Sequence, residues 1–315
     1  MTRDWHGKRV GVLMGGMSTE RNVSLQSGRY VSKALQSRGY DVVEIDVGPD
    51  LPFRLRESGV EVCWIALHGA FGEDGCVQGL LEILRIPYTG SPVRGSAIAM
   101  DKIATKRMLA TSGVPMAQDR VWCAGDPIPD DLSFPMMAKV PNGGSTIGVY
   151  KCEGPGDLER ALVECAELGE EVLLEQFVSG DEITVAVLEG RALPVVSIVP
   201  DSGFFDFEAK YTKGRTRYIV PAPIDPAIAG RAQRSAELAY RTLGLSGVAR
   251  ADFIVDAAGT PWFLEINTIP GMTATSLSPM AAGAVGMSFE DLVEALLMAA
   301  RNHVPLPEVA AAATG

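Results

Sequence analysis

The sequence predicts an α/β and α+β fold in three parts: a parallel α/β domain over 1–92, a small α+β domain over 93–178, and a strand-rich, mixed-sheet domain over 179–315 whose tail, from about 306, has nothing to pack against. Three observations predict it. Through the first ninety residues, apolar runs of strand length alternate with helical stripes, the pattern of a parallel sheet with crossover helices. A Pro/Gly cluster, Ile86-Pro87-Tyr88-Thr89-Gly90-Ser91-Pro92, then punctuates the chain. From residue 172 onward, five apolar runs of strand length dominate.

Each element follows from its local pattern. Arg9-Val10-Gly11-Val12-Leu13-Met14 reads as a strand, and Val23, Ser27, Tyr30, Val31 and Ala34 share one side of the helix after it. Strands are expected at 42–47 and 62–67, and a helix over 75–84 brings Val77, Leu80, Leu81 and Leu84 together. In the central part a helix carries Lys102, Lys106 and Leu109, a strand covers 136–140, a Gly/Ser loop follows, and Leu158, Ala161, Leu162 and Cys165 line an amphipathic helix. The remainder gives strands at 172–178, 183–188, 192–199, 248–255 and 262–266, with helices near 226–243 and 288–301.

At 315 residues and 47% apolar composition the chain has the size of about two or three domains. Its 39 Asp and Glu outnumber 28 Lys and Arg, and a net charge of −11 repels nucleic-acid phosphate and anionic lipid heads alike. Neither nucleic acid nor membrane is an expected partner; a small-molecule substrate is. Five scattered cysteines without C-x-x-C spacing suggest neither a disulfide framework nor a thiolate zinc site, and read as free buried thiols. The polar start runs directly into the first strand, and no apolar run approaches the roughly 20 residues that span a bilayer. The expected compartment is the cytoplasm.

Four segments carry chemistry. After the first strand, Gly15-Gly16-Met17-Ser18-Thr19-Glu20-Arg21 is a glycine turn leading into a helix, where N–H groups favour an anion. The third glycine and downstream acid of a dinucleotide site are missing, and Glu20 reads either as a receptor for an ammonium group or as a solvated neighbour of a capping Ser18. Lys139-Val140-Pro141-Asn142-Gly143-Gly144-Ser145-Thr146 couples a strand-borne lysine to a loop whose N–H groups can fold over phosphates, though it also fits an ordinary surface loop. Glu175-Gln176-Phe177-Val178, with Glu182 after it, suits a purine edge and sugar hydroxyls, or else exposed strand-end glutamates. The most specific signal is Arg250-Ala251-Asp252 on one strand and Glu265-Ile266-Asn267 on the next. Alternation puts Glu265 and Asn267 on one face, and Asp252, Glu265 and Asn267 are the hard oxygen donors that select Mg²⁺, with Arg250 available for oxyanion charge.

In chain order, Gly15-Gly16 with Ser18 and Glu20-Arg21, His68-Gly69 with Gly72-Glu73-Asp74-Gly75, Asp101-Lys102, the Lys139 loop, Glu208-Ala209-Lys210-Tyr211, Arg250-Ala251-Asp252, and Glu265-Ile266-Asn267-Thr268 through Pro270-Gly271-Met272-Thr273 resemble the D-alanyl-D-alanine ligase family of ATP-grasp enzymes. The likeness runs from Gly15 to about Arg301. It implies an ATP-grasp fold with a Rossmann-like first domain, and joining of two D-alanines through a D-alanyl phosphate to supply peptidoglycan precursors. It places Lys102, Lys139, Ser145 and Lys210 on the ATP phosphates, Glu175, Phe177 and Val178 at adenine, and Glu182 on ribose. Asp252, Glu265 and Asn267 would hold two Mg²⁺ or Mn²⁺ ions, with room left for a monovalent cation such as K⁺.

By the same resemblance Glu20 holds the first substrate's ammonium, Ser276 and Leu277 receive the second substrate's carboxylate, and Arg250 with the Gly271 N–H faces the oxyanion. The resemblance also places His68 near the second substrate and the acyl phosphate, as a substrate-binding and catalytic candidate; a lone strand-end histidine reads equally as a structural hydrogen-bonder, and it is not taken as the general base. The segment 204–217 resembles a closing loop that excludes water, joined to the site by Glu20, Ser145 and Tyr211. A homodimer through the first domain is also implied. Two departures stand out: Thr146 in place of a second serine, and Val140-Pro141 in place of a proline directly after the lysine. Tyr211 argues for an amine as second nucleophile; D-alanine:D-lactate and D-alanine:D-serine ligases, and a non-catalytic nucleotide-binding protein, remain the alternatives.

Overall fold

The computed structural model describes residues 4–142, 148–200 and 216–305. Ser145, Thr146, Lys210, Tyr211, most of the expected closing loop and the tail beyond 305 lie outside the described residues.

Three parallel strands, β1 (Arg9–Met14), β2 (Asp41–Asp46) and β3 (Val62–Ile65), form the first sheet in the order β2-β1-β3. Side-chain alternation divides its core in two. Val10, Val12 and Met14 face α1 (Arg21–Ser37) through Val31, Ala34 and Leu35, while Leu13, Ile45 and Ile65 face α2 (Leu51–Glu57) and α3 (Cys76–Leu84) through Leu51, Leu55, Val77 and Leu81. Gly28 lets α1 approach β1 closely, since a Cβ there would run into Met14. The α2 helix is not apparent from hydropathy; Pro52 in its first turn and a single buried pair, Leu51 and Leu55, suffice to set it.

Asp101 has an extended backbone, dividing the expected central helix into α4 (Val93–Met100) and α5 (Lys102–Leu109), and its carboxylate caps α5 by accepting from Ala104 N–H (2.9 Å). Ala99 and Leu109 pack with the third sheet rather than with the small unit that follows. That unit is an antiparallel sheet of β4 (Asp119–Cys123), β5 (Met136–Lys139), β6 (Val149–Cys152) and β7 (Glu171–Gln176), ordered β4-β7-β5-β6. Its partner is α6 (Pro155–Ala166), which buries Leu158, Ala161, Leu162 and Cys165 against Met136, Ala138 and Leu174.

The third sheet contains β8 (Asp181–Leu188), β9 (Arg191–Ala192), β10 (Val196–Pro200), β11 (Thr216–Ile219), β12 (Val248–Val255) and β13 (Pro261–Asn267), with α7 (Pro226–Thr242) between β11 and β12. Expected as mixed, it is antiparallel in every described pairing, and the strand expected over 192–199 is broken between β9 and β10. Val185, Val187, Ala249, Ala251 and Phe253 cover one face beneath α7. On the other face Ala186 and Val248 meet the first layer, and Thr184, Arg250 and Asp252 are left to line a site.

After β13 come α8 (Leu277–Gly283) and α9 (Phe289–Met298), which return to the first layer. Trp64 Nε1 donates to Val293 O (3.4 Å), and Arg38 pairs with Asp291 (2.5 Å) and Glu294 (3.2 Å). Asp291 also closes a capping box with Ser288, and the Ser288 and Arg38 hydrogen bonds together hold its carboxyl down to about 2. Because the folded-state value is depressed, this stabilisation is present above the ordinary value of about 3.9 and fades as pH falls towards 2. Asp291→Asn is therefore expected to lower stability at neutral pH but to converge with the parent in acid denaturation near pH 2; a constant gap across that range would contradict it.

All five cysteines are free; Cys63, Cys152 and Cys165 are buried as expected, whereas Cys76 at the start of α3 and Cys123 at the end of β4 are exposed. No helix among the described residues is long and apolar enough to cross a membrane.

Candidate active site

The site is built on a β-bulge. Along β12 and β13, Arg250 pairs with Asn267 and Asp252 with Glu265, after which the register shifts so that Phe253 faces Phe263. The extra residue, Leu264, reverses which side β13 presents. Below it, Phe253 and Phe263 stack edge to face in the core (5.8 Å between centroids); above it, Arg250, Asp252, Glu265 and Asn267 share the opposite face.

Two carboxylates side by side in a half-buried place need counter-charge. Arg250 donates through Nε and Nη2 to both oxygens of Asp252 (2.9 and 2.8 Å), Thr184 Oγ1 adds a third donor at 2.5 Å, and Lys102, the first residue of α5, lies 3.2 Å from Glu265. Burial works against the Arg250 cation, yet Asp252, Glu265 and Glu73 outweigh it and raise its pKa, so it stays charged. The donor set fits a hard divalent cation: two carboxylates and one amide oxygen on a common face, at present leaning on protein cations. Among the described residues no group of three or more His, Cys, Asp or Glu is placed to hold a metal ion, and the third oxygen donor on this face is Asn267.

A second charged group sits on β5 and β7. Glu175 is 3% exposed and its two carboxylate oxygens are taken by Lys139 and Lys106, each at 2.5 Å. Lys106 also donates to Ala117 O (2.8 Å) and lies 3.3 Å from Asp119. Burial alone would push the Glu175 carboxyl up, but the two ammonium groups more than reverse it and hold it below the usual range. The Glu175 side chain, expected beside adenine, holds Lys139 and Lys106 in place. Lys102 N–H donates to Pro141 O (3.0 Å), tying α5 to the loop that follows Lys139, so both lysines are fixed to one framework. Phe177 and Val178 follow in the connection to β8, where Lys151 lies over the Phe177 ring (4.4 Å), and Glu182 is on β8 between Ile198 and Ile254.

The third group joins the first layer to the third sheet. Ser18 Oγ donates to His68 O (2.6 Å) and accepts from Glu20 N–H (3.2 Å), placing Glu20 where a Cβ on Gly69 would come within 3.0 Å of its carboxylate. Arg21 is exposed and forms a bidentate pair with Asp46 (2.7 and 2.5 Å). His68 Nδ1–H donates to Ile269 O (3.0 Å), and Ser27 Oγ, which accepts from Met272 N–H (3.3 Å), is hydrogen-bonded to His68 Nε2 (3.1 Å). Because Ile269 O can only accept, the network puts a proton on Nδ1. Beyond Met272, Ser276 Oγ accepts from Thr273 N–H (3.0 Å) as the chain enters α8 at Leu277, and a Cβ on Gly271 would crowd that oxygen at 3.0 Å.

The structure thus brings Glu20, His68, Arg250, Asp252, Glu265, Asn267, Gly271 and Ser276 around connected segments, with Lys102 bridging to the Lys139 group. Sequence reading assigned no role to Lys106 or Thr184. The signal for Lys106 was its spacing of four from Lys102, which puts a second lysine on one helix face beside buried Leu109.

Comparison with known proteins agrees. The family described as D-ala D-ala ligase C-terminus matches residues 104–298, and D-ala D-ala ligase N-terminus matches residues 50–91. The D-alanine--D-alanine ligase of Syntrophotalea carbinolica is 49% identical over 93% of this chain and 96% of its own length, and that of Desulforudis audaxviator is 50% identical over 94% and 99%. A crystal structure of D-alanine--D-alanine ligase from Bacillus anthracis complexed with ATP superposes with a TM-score of 0.83 at 31% identity, covering 93% of this chain and 97% of that one. Matched over nearly its whole length by both sequence and fold, the chain belongs to the D-alanine--D-alanine ligase family.

Proposed function

We propose that the protein joins two D-alanines into D-alanyl-D-alanine, driven by conversion of ATP to ADP and phosphate, as a step in making peptidoglycan precursors. The observation that carries the reading is the shared face of Arg250, Asp252, Glu265 and Asn267 beside Lys102, on a fold and sequence matched along the chain by ligases of that name.

A carboxylate oxygen of the first D-alanine attacks the γ-phosphorus of ATP, the bond to ADP breaks, and D-alanyl phosphate forms. Charge repulsion opposes this approach, and Lys102 and Lys139 offset it, the latter held in place by Glu175. Asp252, Glu265 and Asn267 would hold Mg²⁺, which neutralises nucleotide phosphate charge when bound. Glu20 orients the first substrate through its ammonium. With the Glu175 carboxylate occupied by lysines, purine recognition falls to the backbone around Phe177 and Val178, and ribose to Glu182.

In the second half, the neutral amine of the other D-alanine attacks the acyl carbon. Its carbonyl oxygen becomes an oxyanion facing Arg250 and the Gly271 N–H; the tetrahedral species then expels phosphate and the nitrogen gives up its proton. Ser276 and Leu277, at the N-terminus of α8, receive the carboxylate of this second substrate. We place the enzyme in the cytoplasm with its ATP, and as a homodimer through the first layer, where exposed Phe53 (69%) on α2 and Ile83 (80%) on α3 supply apolar surface; a one-chain mass in solution would exclude the dimer.

Glu265→Gln is expected to raise the KM for Mg-ATP and lower kcat, each by about tenfold or more, while leaving the fold intact, because only the oxygen charge is lost. Unchanged kinetics would remove Glu265 from the metal site. The acceptor is tested by offering D-alanine, D-serine or D-lactate with Mg-ATP and weighing the product. A D-alanyl-D-alanine mass supports the reading, an ester with D-lactate would reassign the acceptor, and no phosphate release with any of them would leave a nucleotide-binding protein.

A further inference from the structure

Glu73 lies in the turn between β3 and α3, is 8% exposed, and has no role in the steps above. Its two oxygens are used by two distant parts of the chain: Gly69 N–H donates to Oε2 (2.8 Å) and Ile269 N–H, on the segment after β13, donates to Oε1 (3.1 Å). The same segment is gripped twice more from the first layer, at Ile269 O by His68 and at Met272 N–H by Ser27. Gly271, whose N–H faces the oxyanion in the reading above, lies between these three ties. Burial pushes the Glu73 carboxyl up to about 7, with Glu20 adding to the rise and the two N–H donors and Arg250 opposing it.

We propose that Glu73 is a positioning residue for the second half of the reaction, fixing the 269–272 segment against the His68 turn so that the Gly271 N–H and Arg250 converge on the acyl carbon. The inference rests on the ligase reading. A carboxylate is required because one side chain must accept from two N–H groups on opposite sides; glutamine has the same shape but offers one acceptor oxygen and turns an NH₂ donor towards the other N–H. The Lys102, Lys139 and Glu175 framework does not touch Glu73, so binding of the ATP phosphates does not depend on it. Misplacing the segment exposes an already formed acyl phosphate to water, which releases phosphate without dipeptide.

The test compares phosphate released with dipeptide formed, in the parent and in Glu73→Gln, at saturating Mg-ATP and D-alanine. The parent must give one phosphate per dipeptide; if it gives no dipeptide, the ligase reading fails before Glu73 is tested. For Glu73→Gln the expected result is dipeptide formation lowered by about tenfold, phosphate release lowered less, and the KM for ATP unchanged. Should this variant fail to fold, Ser27→Ala removes the neighbouring tie to Met272 without leaving a buried charge, and the same excess of phosphate is expected. A folded variant that keeps the one-to-one ratio, whatever its rate, overturns the proposal, since a merely structural role lowers both products together.

Discussion

Arg250→Met is expected to lower kcat by about 10²–10³-fold, the largest catalytic loss of any single substitution considered for this site. Two effects combine. The oxyanion of the second step loses its cationic donor, and Asp252, whose two oxygens now accept from Nε and Nη2, is left with Thr184 as its one side-chain donor among the described residues. Breaking a buried pair by removing one member costs about 3–5 kcal/mol, so a drop in thermal stability should accompany the kinetic loss. Arg250→Lys separates the two, because it keeps the charge but not the planar fork. Most of the stability should return while most of the activity does not. Steady-state kinetics and thermal melts on both variants check this; full activity in Arg250→Lys would show that charge alone is needed.

Glu175→Leu is expected to destabilise the protein by about 3–5 kcal/mol. It leaves the ammonium groups of Lys106 and Lys139, both now held at 2.5 Å by one carboxylate, in a buried place with the shared anion gone. Replacing one anion with an apolar side chain does not turn the cluster into a packed core, since two charges of the same sign remain. ATP affinity should fall in parallel, because Lys139 loses the group that aims it. Denaturant unfolding with and without ATP is the measurement, and a variant as stable as the parent would show that Asp119 and water suffice to neutralise Lys106.

The strands that carry Arg250, Asp252, Glu265 and Asn267 were legible because their chemistry is written in a strand code. Arg250 and Asp252, like Glu265 and Asn267, are spaced by two, and period-2 alternation is the most reliable geometry a sequence carries. The bulge at Leu264 was not legible, since hydropathy does not show which strand holds the extra residue. The ion pairs of Glu175 were hidden for a related reason: its partners, Lys106 and Lys139, are remote in sequence. The parallel first sheet was readable from repeated strand and helix patterns. By contrast α2, the division of the central helix at Asp101, and the packing of α4 and α5 on the third sheet depend on single capping residues and long-range contacts that no local window contains.

The central claim is that a D-alanine carboxylate is activated by phosphoryl transfer before the amine attacks. Its most direct test is oxygen transfer. With D-alanine labelled by ¹⁸O in both carboxylate positions and unlabelled Mg-ATP, the attacking oxygen stays on phosphorus when the acyl carbon–oxygen bond breaks. The account predicts one ¹⁸O in each phosphate released, matched one for one by dipeptide that has lost a single label. Unlabelled phosphate released alongside dipeptide would contradict it.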